Sequence, residues 1–402
     1  MEENKKQKSK KWLLIIVGMV IAATVIILLL LRVGGKIGGN RDKVSVTAKT
    51  EDTLSADIRS LLMKSGESRQ ITASKKGAVF ASSNPEVATV DKTGKVTALK
   101  KGNALITITA EERTAYCGVL VDSVGSMVDV SKQKAKTIFS DVILEEPGAI
   151  KGFAVDKEHS AYYLSQPYAT DSYVGLPSDV VVSKVVKNSR GTWESAEWMR
   201  FYESGTGTIA LDKKGSDSYL MLESNGTYFG SGQALSNVAW KNETYAQGEY
   251  GETLTLEGVK GSASPAIDKE NDLLVIYDNV KKSYLIYDQK TLQDGAVYLH
   301  EVVCEKNQEP VAGVDDSQGF YNASIRDFAV ADGYIYQISG SASIYISVFD
   351  LNGTLQYCHR VLDYDDMEVR TPGGIDYVDG SIYIAVGSGN KQYYFGNVWI
   401  FQ

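Results

Sequence analysis

A strand, an acidic turn and a second strand recur along the C-terminal part of this chain, and that recurrence limits the folds open to it. FAVDKEHSAYYLS begins at Phe153, IALDKKGSDSYLML at Ile209, PAIDKENDLLVIYD at Pro265, FAVADGYIYQIS at Phe328 and IDYVDGSIYIAV at Ile375. The starts lie roughly 50 to 60 residues apart, a period typical of β repeats the size of a propeller blade. A third strand often follows, as in KKSYLIYDQ, ASIYISVFD and NVWIFQ. The pattern predicts a five-bladed β-propeller over residues 124–402, with a large β-sandwich or two irregular sheets as the alternative. NVWIFQ is apolar and needs a partner strand. TIFSDVILE, Thr137 to Glu145, precedes the first repeat and is the expected partner.

A smaller β unit precedes the repeats. RQITA, VFASS, VATVD, KVTAL and ALITITA are short, rich in Val, Ile and Thr, and separated by polar turns. Strands of that kind predict a small antiparallel sandwich over residues 44–123. In ALITITA, Ile106 and Ile108 share one face and Thr107 and Thr109 the other, so one side can bury while the other stays wet. The stretch SSNPEVATVDKTGKVTALKKGNALITITA closely resembles the bacterial immunoglobulin-like group 2 domain. The Ser-Asn-Pro corner, the Val-Ala-Thr-Val-Asp strand and the Gly-Lys-Val-Thr-Ala run carry that resemblance. TEDTLSADIRSLLMKSGES departs from it, being longer and more helical in character than the family's first strand. The resemblance implies a module of bacterial surface proteins and adhesins, serving as a spacer or as a carbohydrate- or receptor-binding unit. SVGSMVDVS, Ser123 to Ser131, is expected to link the two β units.

Trp12 to Leu31 is an uncharged apolar run, long enough to span the hydrocarbon core as a helix. Lys5, Lys6, Lys8, Lys10 and Lys11 precede it. The expectation is an uncleaved signal-anchor in the lipid bilayer, with residues 1–11 as a cytoplasmic tail and the C-terminal part extracellular. A glycine-rich tether follows at 32–43. The expected fold is therefore all-β: a transmembrane helix, a small Ig-like sandwich and a propeller.

The formal net charge of −8 argues against nucleic acid held by bulk charge. Cys117, Cys304 and Cys358 have no metal-site spacing and suit buried apolar positions. His159, His300 and His359 likewise lack ligand spacing. His359 adjoins Cys358, but neighbours on a strand point to opposite faces, so the two do not form a nucleophilic pair. Asp156, Asp212, Asp268, Asp332 and Asp379 occupy the repeated turns, where a carboxylate caps backbone N–H groups. Asp315 with Asp316, and Asp363 with Asp365, Asp366 and Glu368, form denser acidic clusters. They suit calcium or equally a solvated loop; no cofactor or resident metal is otherwise implied.

Aromatic residues give the main binding candidates: Trp193, Trp198, Tyr228, Trp240, Tyr393, Tyr394 and Phe395. Trp and Tyr beside amides suit the apolar face of a pyranose, and they suit blade cores too. QYYFGN, lying between two strands, is the first choice. Residues 124–402 also resemble the helveticin J-like bacteriocins in KGSASPAIDKENDLLVIYDNVKKSYLIYDQKTL, SIRDFAVADGYIYQISG and the closing GGIDYVDGSIYIAV. That resemblance implies a secreted, surface-acting β protein of no known enzyme class. A histidine which that family carries near the third repeat is missing here. The leading reading is a bacterial cell-surface protein that binds cell-wall or envelope glycan, or another surface protein, through blade loops. An envelope glycan hydrolase or lyase using the acidic clusters is the second reading, and a helveticin-like antibacterial protein the third.

Overall fold

A computed structural model of the chain describes residues 54–133, 135–144, 149–168, 179–201, 208–214, 217–223, 237–241, 253–256, 258–259, 263–278, 280–290, 297–304, 325–340, 344–360, 370–389 and 394–401. Its first part is a sandwich of short strands. These are Ser60–Met63 (β1), Ser68–Gln70 (β2), Val79–Ser82 (β3), Ala88–Val90 (β4), Lys95–Ala98 (β5), Gly102–Ala110 (β6) and Arg113–Val121 (β7). One sheet runs β1-β7-β6-β3 and the other β2-β5-β4. Ile106 and Ile108 are fully buried with Ile71, Val96 and Val119, while Thr109 is exposed, as strand alternation requires. Asp91 closes the β4–β5 turn by accepting from Thr93 N at 2.8 Å and Lys95 N at 3.0 Å.

The remaining strands form five open four-stranded antiparallel sheets. After Ala135–Ile143 (β8), the first sheet holds Gly152–Asp156 (β9), Ala161–Tyr168 (β10), Asp179–Lys187 (β11) and Trp193–Phe201 (β12). Ile209–Lys214 (β13), Asp217–Glu223 (β14), Asn237–Lys241 (β15) and Thr253–Thr255 (β16) make the second. The third consists of Ala263–Asp268 (β17), Leu273–Asp278 (β18), Ser283–Asp288 (β19) and Val297–Val302 (β20). Ile325–Ala331 (β21), Tyr334–Gly340 (β22), Ile344–Asp350 (β23) and Leu355–Arg360 (β24) form the fourth. In the fifth, Arg370–Val378 (β25), Ser381–Gly389 (β26) and Tyr394–Phe401 (β27) are joined by β8. The partner expected for the NVWIFQ segment is therefore the one found, with Phe401 opposite Ala135 and Phe395 opposite Ile143.

Two parts of the expected fold are corrected. The segment 12–31 lies outside the described residues, and no helix among those residues is long and apolar enough to cross a membrane. The propeller expectation is corrected because among the described residues no sheet closes on itself. Among the described residues each ladder stops at its fourth strand, and no strand ladder joins one sheet to the next. The physical reason is that a strand-turn-strand repeat dictates hairpins, whose hydrogen bonds are local, and leaves the assembly of the sheets open. First strands β9, β13, β17, β21 and β25 contact one another in cyclic order through packed apolar residues such as Phe153, Leu211, Ala266, Phe328 and Ile375.

The segment between the two β parts is held down along its length. Val128 N donates to Tyr336 Oη at 2.9 Å, and Tyr357 Oη donates to Val128 O at 2.6 Å. Val130 is fully buried, and Asp129 caps a 3-10 turn at Val130–Lys132.

Candidate functional site

The two ends of the five-sheet unit differ. At one end the first and second strands of a sheet join through tight turns, at 157–160, 269–272, 332–333 and 379–380. Asp156 and Asp268 close four-residue turns whose last residues, Ser160 and Asp272, adopt left-handed φ of 50° and 52°. Asp332-Gly333 and Asp379-Gly380 instead form two-residue turns with positive φ at both positions, the geometry that Asp-Gly favours in a hairpin. A cavity of about 380 Å³ opens among these turns, lined in part by Asp156, Lys157, Asp268, Lys269, Tyr377 and Asp379.

Carboxylates at this cavity and between the sheets do structural work. Asp268 Oδ1 accepts from Glu270 N at 3.1 Å, while its Oδ2 accepts from Gly333 N at 3.1 Å and so ties the third sheet to the fourth. Asp327 Oδ2 accepts from Ile375 N at 3.2 Å and ties the fourth to the fifth. Asp376 Oδ2 accepts from Val155 N at 2.8 Å and ties the fifth to the first. An exposed pair, Lys157 and Asp379 at 2.7 Å, spans the same junction. Carboxylate bonds to backbone thus link sheets whose ladders do not meet. Each charge-assisted bond of this kind contributes about 1.5–3 kcal/mol.

Burial pushes the Asp376 carboxyl up to about 6 from 3.8, outweighing Lys269 and the N–H groups of Val155 and Tyr377, which favour the anion. The folded chain therefore holds a proton that the unfolded chain releases between those values. Stability from this group is complete below about pH 4 and is lost as the pH rises through about 6, by about 3 kcal/mol. Asp376→Asn is expected to flatten the fall in melting temperature between pH 4 and pH 7 relative to the parent chain. The same slope in both proteins, followed by calorimetry, would contradict this.

His300 is a contact that the sequence did not reveal. Its Nδ1 meets Ser60 Oγ of β1, and its Nε2 lies 2.8 Å from Leu351 O of the fourth sheet. Burial pushes its pKa down, against the Leu351 carbonyl, so the neutral ring suits this position. Asn103 Nδ2 donates to Asn271 O, and Asn271 Nδ2 donates to Ser123 O, both at 2.8 Å. Together these bonds fix the sandwich against the third sheet. Only contacts between residues far apart in the chain, with no local pattern, make this junction.

Of the candidate binding residues, Trp193 packs in the junction of β8 with the first sheet, 5.2 Å from the Phe139 ring and 5.6 Å from that of Tyr162. Trp198 lies 4.8 Å from the ring of Tyr163. Both are half-buried. Trp240 stands in β15 opposite Met221. Tyr394 and Phe395 belong to β27 itself rather than to the connection before it, and face Gly389 and Ser388 in β26. Tyr228, Tyr393, Asp315, Asp316, Asp363, Asp365 and Asp366 lie outside the described residues. Among the described residues no group of His, Cys, Asp and Glu is arranged to hold a metal ion. Cys117, Cys304 and Cys358 are free thiols, and burial pushes Cys117 and Cys304 up to about 12. Cys358 and His359 pair with Ser347 and Ile346 in turn, on opposite faces of β24.

Residues 64–119 match the bacterial Ig-like domain (group 2), and the N-terminal sandwich is a domain of that family. No curated protein matches the chain. Among solved structures, the tail fiber of Staphylococcus aureus phage P68 is 15% identical with a TM-score of 0.52, over 68% of this chain and 54% of the fiber. The chain thus spans about half the length of that protein, with which it shares a fold. A GH43_1 enzyme from Xanthomonas citri is 12% identical with a TM-score of 0.39, covering 67% of this chain and 90% of the enzyme. An auxiliary nutrient binding protein from Bacteroides thetaiotaomicron is 12% identical with a TM-score of 0.31, over 87% of this chain and 98% of that protein.

Proposed function

We propose that the chain is an extracellular β protein of a bacterial surface that binds cell-wall or envelope glycan. Recognition would run through the connections at the end of the five-sheet unit opposite its tight turns. The observation that carries this reading is the division of labour between the two ends. The tight turns between first and second strands, the connection 242–252, the pinned segment at Val128–Val130 and the contacts of Asn271 and Gly333 with Ser123 occupy one end. The strand ends joined by 169–178, 224–236, 305–324, 361–369 and 390–393 lie at the other. Long connections on a rigid scaffold are where binding residues concentrate. Tyr228, Tyr393 and the acidic clusters fall in those connections.

Co-sedimentation of the purified full chain with isolated Gram-positive cell wall tests the reading. The expected result is several-fold more retained protein than for an acidic control protein of similar charge, with loss of that excess on Tyr228→Ala plus Tyr393→Ala. Retention equal to the control would refute it.

A further inference from the structure

A second concavity lies where the Ig-like domain meets the third sheet. It measures about 490 Å³, within the range of small-ligand sites, and is lined by Arg59 and Tyr116 on one wall and by Lys281, Tyr298 and Glu301 on the other. Both walls are held in place by the His300 bond to Ser60 and the Asn103 bond to Asn271, so the cleft is formed before any ligand arrives.

The groups in the cleft are arranged unevenly. Tyr116 is 52% exposed despite its large ring, and Arg59 is exposed beside it. Tyr298 is fixed edge-on against Tyr287 at 5.8 Å, and neither Tyr116 nor Tyr298 has a hydrogen-bond partner for its hydroxyl among the described residues. Glu301 is already committed, accepting from Ser283 Oγ at 2.6 Å with Lys281 Nζ 3.8 Å away. Arg59 has no carboxylate partner among the described residues. The cleft therefore offers two aromatic surfaces, two free hydroxyls and one unbalanced guanidinium on a chain of net charge −8.

We propose that this cleft binds a saccharide unit bearing one carboxylate, of the uronic acid type. The apolar face of the pyranose packs on tyrosine, the tyrosine hydroxyls bond ring hydroxyls, and Arg59 takes the carboxylate in a two-pronged charge-assisted contact. The proposal does not depend on the loop-end reading above, because it concerns a different surface.

The test is calorimetric titration of the full chain with a disaccharide of glucuronic acid and N-acetylglucosamine, beside the neutral disaccharide of glucose and N-acetylglucosamine. Saturable binding of the acidic sugar, at least tenfold tighter than the neutral one, is expected. Arg59→Gln should remove that tenfold preference, and Tyr116→Ala should weaken both sugars at least fivefold. Both side chains are exposed, so both variants should keep the parent melting temperature and cell-wall retention. No saturable binding by the parent chain, or an unchanged acidic-sugar preference in Arg59→Gln, would overturn the proposal.

Discussion

Deleting Ala135–Ile143 is expected to leave a chain that unfolds below the parent's melting temperature and elutes as aggregate. β8 pairs with β27 from Phe395 to Phe401, so its loss bares the edge of a strand carrying Val398, Trp399 and Ile400. The deletion also removes Phe139, which is 2% exposed and touches the rings of Tyr162 and Trp193, and Val142 from the same cluster. Truncating a buried Phe alone costs about 3–5 kcal/mol, and a whole domain is stable by only about 5–15. The combined loss of pairing and packing should therefore exceed what the fifth sheet can withstand. Size-exclusion chromatography and thermal unfolding would show this. A chain of normal elution volume and unchanged melting temperature would mean that β8 does not complete the sheet.

A single methyl group at Gly118 should have the second largest effect. A Cβ there would lie 1.9 Å from Leu299 O and 2.6 Å from Leu299 Cα, both backbone atoms of β20 that no rotamer change can move. Gly118 also sits opposite Ser60 in β1 and Leu105 in β6, so it cannot retreat without disturbing the domain's own sheet. Gly118→Ala is expected to push the Ig-like domain off the third sheet and strain the His300 and Asn103 bonds, costing about 1–3 kcal/mol or more. Hydrogen exchange should rise in β1 and β20 together, and the thermal transition should separate into two. Parent-like exchange at both strands would show that the contact is not close in solution.

Much of the local structure was legible because it is written in neighbouring residues. The alternation of Ile106, Thr107, Ile108 and Thr109 announces a half-buried strand, and the turn carboxylates at Asp156 and Asp268 announce hairpins. The need of a terminal apolar run for a partner led to β8. What was not legible depends on contacts between distant residues. Asp327 and Asp376 look like ordinary strand residues until the neighbouring sheet presents a backbone N–H to each. The ring neighbours of Trp193 and Trp198 were not legible either, since an aromatic side chain looks the same in a loop and in a packed junction until Phe139, Tyr162 and Tyr163 are brought beside it. Sheet closure is not legible for the same reason, since the repeat specifies each hairpin and not how sheets meet. The cleft shared by Tyr116 and Tyr298 has no sequence signature, because it exists only once the two β parts are docked.

The loop-end assignment is tested most directly by hydrogen exchange on the full chain with and without soluble cell-wall fragments. Added fragments should slow exchange in peptides covering 224–236, 305–324, 361–369 or 390–393, while those covering the tight turns at 157–160, 269–272 and 379–380 stay unchanged. Slowed exchange confined to the tight-turn peptides, or none anywhere at saturating fragment, would contradict it.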